Sequence, residues 1–145
     1  MLLKSLVSVK RVKAEGDGFW VFAEDPQDIL RAVNRLNASL EDFCLESSAP
    51  LSGYRCILGV GNLLGVTTPD GEDYSGEEVV ELKRIDQPMK AYIHRHDLSG
   101  SQAWCTSAFH DAVAATTQHL NFRRLEPFAL DKDHPPTGDY FSIER

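Results

Sequence analysis

Apolar positions along this chain follow two rhythms, and each predicts a different kind of element. After Asp25-Pro26, the residues Ile29, Leu30, Val33, Leu36, Leu40 and Phe43 recur at spacings of one, three, three, four and three. That spacing draws one stripe down a helix surface. Asp25 has the side chain that caps free amides, Pro26 suits the first helical position, and Asp28 favours the positive end of the helix dipole. A helix from 25 to 47 is expected, burying Leu30, Val33, Leu36 and Leu40. Asn37-Ala38-Ser39 offers a place for it to break and restart.

Elsewhere the apolar residues alternate or form short runs, the pattern of strands. Residues 2–13 and 19–23 read as two strands joined by the turn-forming Glu15-Gly16-Asp17-Gly18. Residues 54–60, 63–67, 79–85 and 89–96 read as four more. The last of these has Met89, Ala91 and Ile93 on a core face. Their separators, Gly61-Asn62, Pro69-Asp70-Gly71-Glu72-Asp73 and Asp86-Gln87-Pro88, are turn chemistry, and short connections imply antiparallel hairpins. A second helix is expected over 106–119, with Phe109, Ala112, Val113 and Leu120 inward. Residues 122–130 and 140–143 close the chain as strands around an irregular loop. Helices do not alternate with strands, which argues against a doubly wound parallel sheet. The expectation is an α+β fold: an antiparallel sheet of about six strands packed on one face by two helices. At 145 residues it forms a single domain, 1–145.

Composition sharpens this picture in three places. A 42% hydrophobic and 26% charged chain is globular in kind. No apolar run approaches the roughly 20 residues that span a bilayer, so no membrane partner is expected. Charge interrupts the apolar residues 1–10, which read as a first strand and not a signal peptide. Three cysteines, Cys44, Cys56 and Cys105, give an odd count with no close pair. A reducing, cytoplasmic setting without disulfides follows, and the spacing gives no structural zinc motif.

The net charge is 15 − 22 = −7, which disfavours nucleic acid as a partner. The distribution is more informative. Asp70, Glu72, Asp73, Glu77, Glu78 and Glu81 fall within twelve residues, and no Lys or Arg occurs between Cys56 and Leu82. Lys4, Lys10, Arg11 and Lys13 cluster at the other end of the chain. A single-sign patch speeds association with, and selects, a partner of opposite charge. The six carboxylates are therefore expected to form a surface for a basic partner protein. The corresponding function is a non-enzymatic acidic binding protein with an inhibitor, immunity or chaperone-like role and no cofactor.

The alternative is a small hydrolase. On a strand His94 and His96 would point to one side, and with His110 they would make a metal-ligand set. The plainer account puts Lys90, Tyr92, His94 and His96 on the solvated face of a sheet. Cys105 falls near the start of the second helix, where a dipole lowers a thiol pKa. His110 is about 140° around that helix from it, so a basic imidazole must come from His134 or His94, oriented by Asp139. Trp104-Cys105-Thr106 matches no nucleophile signature, which favours an inert, packed thiol. Gly59-Val60-Gly61-Asn62-Leu63-Leu64-Gly65 has its third glycine one residue late for a dinucleotide loop and is followed by a strand pattern. Asp70, Glu72 and Asp73 lack the later glutamate and flanking helices of a calcium loop. No G-x-S-x-G elbow or phosphate-binding G-x-x-x-x-G-K-S/T occurs.

Overall fold

Alternating β-branched and aromatic residues next to a Gly-containing turn make the first element a hairpin, β1 (Val9–Glu15) and β2 (Gly18–Ala23), paired antiparallel with Val12 opposite Val21 and Lys13 opposite Trp20. The computed structural model describes residues 8–16, 18–47, 53–130, 133 and 138–144, with Phe43 and Cys44 described in backbone only. The expected strand over 2–13 therefore falls partly outside the described residues.

The first helix, α1 (Pro26–Ser47), starts where its sequence says it should. The Asp25 carboxylate accepts from the Gln27 amide at 2.9 Å, satisfying one free donor of the first turn. Asp28 is buried and accepts from the Ser8 amide at 2.9 Å and the Ser8 hydroxyl at 2.7 Å, and pairs with Arg31. These donors, the Ser8 hydroxyl foremost, hold its pKa down at about 2. The helix runs through Asn37-Ala38-Ser39 without a break. Leu30 and Ala32 are buried, while Val33, Leu36 and Leu40 are half-buried. Ala32 packs against Val9, Val12 and Val21 of the hairpin.

The described residues fall into two compact units. One holds β1, β2, α1 and residues 65–74; the other holds residues 52–64 and 75–145. A two-stranded hairpin, β4 (Leu64–Thr68) and β5 (Gly71–Ser75), carries most of the 65–74 segment. Its two-residue connection permits only antiparallel pairing.

The second unit is built on a four-stranded sheet of β3 (Arg55–Leu58), β6 (Gln102–Thr106), β7 (Asn121–Arg124) and β8 (Tyr140–Glu144), in the order β3-β6-β8-β7. β3 and β6 are parallel, with Ile57 opposite Trp104, whereas β8 is antiparallel to both of its neighbours. Among the described residues, the expected single antiparallel sheet of about six strands is thus corrected to three sheets, mostly antiparallel, in a mixed α+β fold.

The main departure lies between Glu77 and Arg95, where two strands were expected and one 19-residue helix, α2, stands. Ile85, Met89 and Tyr92 are buried at i, i+4 and i+7, a helical stripe. Met89 is on the core face as expected, but Ala91 is exposed and Ile93 half-buried. Glu77 and Glu78 in the first turn and His94 and Arg95 in the last complement the helix dipole. Pro88 is tolerated inside, at the cost of one backbone hydrogen bond. The helix stops at Asp97, which is left-handed (φ 52°). There the Leu98 amide reaches the Ile93 carbonyl at 3.0 Å and the Asp97 amide reaches His94 at 3.3 Å, the paired bonds of a Schellman end.

The second expected helix over 106–119 is shorter: α3 (Ser107–Val113), then a 3-10 turn, Ala114–Thr116. Phe109 and Val113 are buried as expected, but Ala112 is exposed and Leu120 half-buried.

The two helices of this unit cover opposite faces of its sheet. Trp104 of β6 meets Tyr92 of α2 edge-on at 5.1 Å and joins Ile85, Met89, Leu125 and Tyr140 in one buried cluster. The next residue, Cys105, points the other way. It pairs in register with Phe141, whose ring stacks on His110 of α3 at 4.3 Å. The expectation of helices on one face does not hold here.

Candidate functional site at the carboxyl ends of two parallel strands

Two features of this sheet converge on one place. β3 and β6 are parallel neighbours, and the helices that follow them in the chain lie on opposite faces. Where adjacent strands send their chains to opposite faces, the loops splay apart and leave a crevice outside the carboxyl ends, the usual ligand position in open α/β sheets. A cavity of about 180 Å³ lies there. One wall is Gly59 and Val60 after β3, a second is Thr106, Ser107 and Ala108 after β6, and a third is Glu78, Glu81 and Leu82 from the first turns of α2. Gly138, Asp139 and Tyr140, leading into β8, complete it.

The walls carry more acceptors than charges to meet them. Tyr140 donates its phenolic O–H to Glu81 Oε1. Burial, reinforced by that bond, pushes the Tyr140 phenol well above its ordinary pKa, so it stays protonated as a donor. Asp139 is held by Arg124 at 2.6 Å. The Thr106 hydroxyl caps α3, accepting from the Phe109 amide at 3.3 Å. Glu78 is different. It is half-buried, and among the described residues it has no hydrogen-bond or ion-pair partner. Its carboxylate lies against Gly61, where a Cβ would come within 2.0 Å of Glu78 Cδ, so a side chain there would displace the carboxylate from this position. No Lys or Arg lines the cavity.

The six acidic residues singled out from the sequence are divided between the two units. Asp70, Glu72 and Asp73 lie on the β4–β5 hairpin, in the unit that also contains the basic strand β1. Lys13 reaches Asp73 at 2.8 Å, and Arg11 donates to the Asp70 carbonyl at 2.9 Å. The Lys13 bond holds the Asp73 carboxyl below its usual range. Glu72 accepts from the Tyr74 hydroxyl at 3.1 Å. Glu77, Glu78 and Glu81 belong to the other unit, at the start of α2: Glu77 is exposed, and the other two wall the crevice.

The histidines are not brought together as a strand would bring them. His94 and His96 stand two apart at the end of a helix, about 200° around its axis. His94 is exposed, whereas His96 stacks on Tyr92 at 4.1 Å and faces Glu126 at 3.5 Å. His110 packs between Phe122 and Phe141. Among the described residues no group of three or more His, Cys, Asp or Glu is placed to hold a metal ion.

Cys105 is not at a helix start but inside β6, fully buried, and burial pushes its thiol up to about 12. Cys56 is raised to about 12 for the same reason. Both are free thiols, and neither supplies thiolate at neutral pH. The side chain of Cys44, like His134, lies outside the described residues. Among the described residues, no helix is long and apolar enough to cross a membrane.

Sequence reasoning marked Glu78 and Glu81 for their charge but passed over Ser107 and Tyr140. Of the Gly59-Val60-Gly61 run, which does not fit a nucleotide loop, Gly59 and Val60 form one wall of the crevice. Comparison with known protein families, with curated proteins and with solved structures finds no match to this chain.

Proposed function

We propose that this protein is a non-enzymatic binding protein for a basic partner protein, with an inhibitor, immunity or chaperone-like role, and that Glu77, Glu78 and Glu81 carry the recognition. The observation that supports this reading is the state of Glu78, a half-buried carboxylate that among the described residues has no partner, on the rim of a crevice that no described Lys or Arg lines. Holding a partly desolvated charge unpaired costs the folded chain free energy, and an incoming cation removes that cost. The three glutamates lie within one and a half turns of one helix, so their potentials add at one place.

The experiment compares two neutralised variants in binding a fluorescein-labelled basic decapeptide, followed by anisotropy at about 20 and 200 mM salt. Glu77→Gln/Glu78→Gln/Glu81→Gln is expected to weaken binding tenfold or more at low salt and to flatten its salt dependence. Asp70→Asn/Glu72→Gln/Asp73→Asn, which alters the half in which Lys13 already pairs with Asp73, is expected to change it less than threefold. Equal losses in the two variants, or no binding at low salt, would remove the support for this reading.

A further inference from the structure

We propose that the β4–β5 hairpin is a releasable strap over a face of the β1–β2 hairpin that binds an acidic, extended peptide segment. Register defines that face. Arg11 stands opposite Phe22 and Lys13 opposite Trp20, and directly opposed residues of an antiparallel pair share a face. The Trp20 and Phe22 rings stack along it at 6.0 Å. The other face carries Val12 and Val21, which pack on Ala32 of α1. One side of the hairpin is core, and the other sets two cations beside two aromatic rings. This surface and Glu77, Glu78 and Glu81 belong to different units, and neither reading depends on the other.

The strap occupies this face with a short acidic strand of its own. Lys13 Nζ pairs with Asp73 at 2.8 Å, and the Tyr74 ring lies 5.2 Å from that of Phe22. Arg11 is served less well. Its Nη1 donates at 2.9 Å to the Asp70 carbonyl, a neutral acceptor, and its Nε is buried without a hydrogen-bond partner. A guanidinium takes a carboxylate through two parallel bonds, and among the described residues Arg11 has no carboxylate at ion-pair distance. Asp73, whose charge it feels, is bonded to Lys13 instead.

Little holds the strap in place. No residue from 64 to 75 is buried, and two strands alone are marginal in water. The Lys13–Asp73 pair is partly exposed, so salt screens it. The chain on both sides of residues 65–74 belongs to the other unit. Inside its own unit the strap is therefore held by contacts alone, and opening it leaves the packing of Val12 and Val21 on Ala32 intact. An occupant that displaces it must repeat its contacts to Lys13 and Phe22 and add a carboxylate for Arg11. That describes an acidic peptide with an aromatic residue beside its carboxylates.

The test uses the full chain, amide NMR and a decapeptide of glycine and serine with Glu-Asp-Tyr-Glu at its centre. Asp73→Asn/Tyr74→Ala removes two strap contacts and leaves the covered face unchanged. It is expected to bind the peptide about tenfold more tightly than the parent, as when about one parent molecule in ten is open. Shifts are expected over residues 11–13 and 20–22. Adding Arg11→Gln is expected to cancel the gain, as is replacing the peptide's acids by their amides. In the parent, amide exchange over 64–75 is expected to quicken about threefold between about 20 and 500 mM salt, with 9–15 and 18–23 still protected. The exchange measurement needs no variant, so it decides even where a substitution disturbs folding. Equal peptide affinity in the parent and in a folded Asp73→Asn/Tyr74→Ala chain overturns the proposal. So does protection over 64–75 that matches that of β1 and β2 at every salt concentration. An oligothymidylate of equal charge that binds the opened chain as tightly as the peptide overturns the assignment to an acidic peptide.

Discussion

Asp73 and Glu78 lie five residues apart in one acidic run, yet folding puts them in opposite situations. Asp73 receives Lys13 from a strand 60 residues away and is held ionised by it. Glu78 sits against Gly61, and among the described residues no Lys or Arg lines the crevice beside it. The run is uniform in one dimension and divided in three, with Asp73 paired inside its own unit and Glu78 left without a partner at a crevice among the described residues. Charge density along a sequence therefore measures a potential for binding only where the fold has not already spent it. The basic N-terminal strand, which looks segregated from the acidic run, supplies the cations that neutralise part of it.

The contrast depends on α2 being a helix, because only a helix carries Glu78 and Glu81 to the same wall. The largest expected effect tests that. Ile85→Ala removes a fully buried side chain from the cluster under the sheet, and it is expected to lower unfolding free energy by about 2–5 kcal/mol in denaturant titration. Ala91→Lys changes a residue that is exposed on the helix, and it is expected to stay within about 0.5 kcal/mol of the parent. A strand with Met89, Ala91 and Ile93 facing inward would give a large loss for Ala91→Lys, and that outcome would dissolve the crevice with it.

A smaller effect is expected at the crevice itself. Tyr140→Phe keeps the ring in the core and deletes the donor to Glu81. Hydrogen bonds to charged groups contribute about 1.5–3 kcal/mol; because Glu81 is only partly buried and water replaces some of the loss, about 1 kcal/mol is expected in chemical denaturation. No measurable change would mean that water serves Glu81 as well as the phenol does.

The share of this that was legible in the sequence follows from how local each signal is. α1 was readable because cap, first-turn proline and apolar stripe agree. α2 was not, because 89–93 satisfies period two through Met89, Ala91 and Ile93 as readily as it satisfies the helical period through Ile85, Met89 and Tyr92. Asp86-Gln87-Pro88 then looked like punctuation, although a helix held by buried packing absorbs a proline. β5 reads Gly-Glu-Asp-Tyr-Ser and β6 Gln-Ala-Trp-Cys-Thr; neither alternates, and β6 is a strand because its neighbours bury it. The charges of the candidate site were visible as residues. Their geometry was not, since it rests on β3 lying parallel to β6, a pairing between distant segments that no local pattern encodes.

The smallest expected effect isolates the neutralised half of the run. Lys13→Met keeps the stem and deletes the ammonium that holds Asp73. The Asp73 carboxyl is depressed in the folded chain chiefly by that hydrogen bond, with the Tyr74 amide next and burial opposing. A carboxyl whose folded pKa lies below its unfolded value of about 3.9 stabilises the fold at pH above that value. The stabilisation fades as pH falls through the folded pKa. In Lys13→Met the folded pKa is expected to rise toward the ordinary carboxylate range, so this part of the acid sensitivity disappears and neutral-pH stability drops slightly, less than in Tyr140→Phe. Carbon-detected NMR titration of Asp73, in parent and variant, reads the pKa directly. The same variant sharpens the comparison with Glu78, because it leaves Asp73 without the Lys13 ammonium in the hairpin half. If crevice geometry governs recognition, the basic decapeptide should bind Lys13→Met no more than about twofold more tightly than the parent. If loose negative charge alone governs it, affinity should rise as far as one added charge allows, with a steeper dependence on salt.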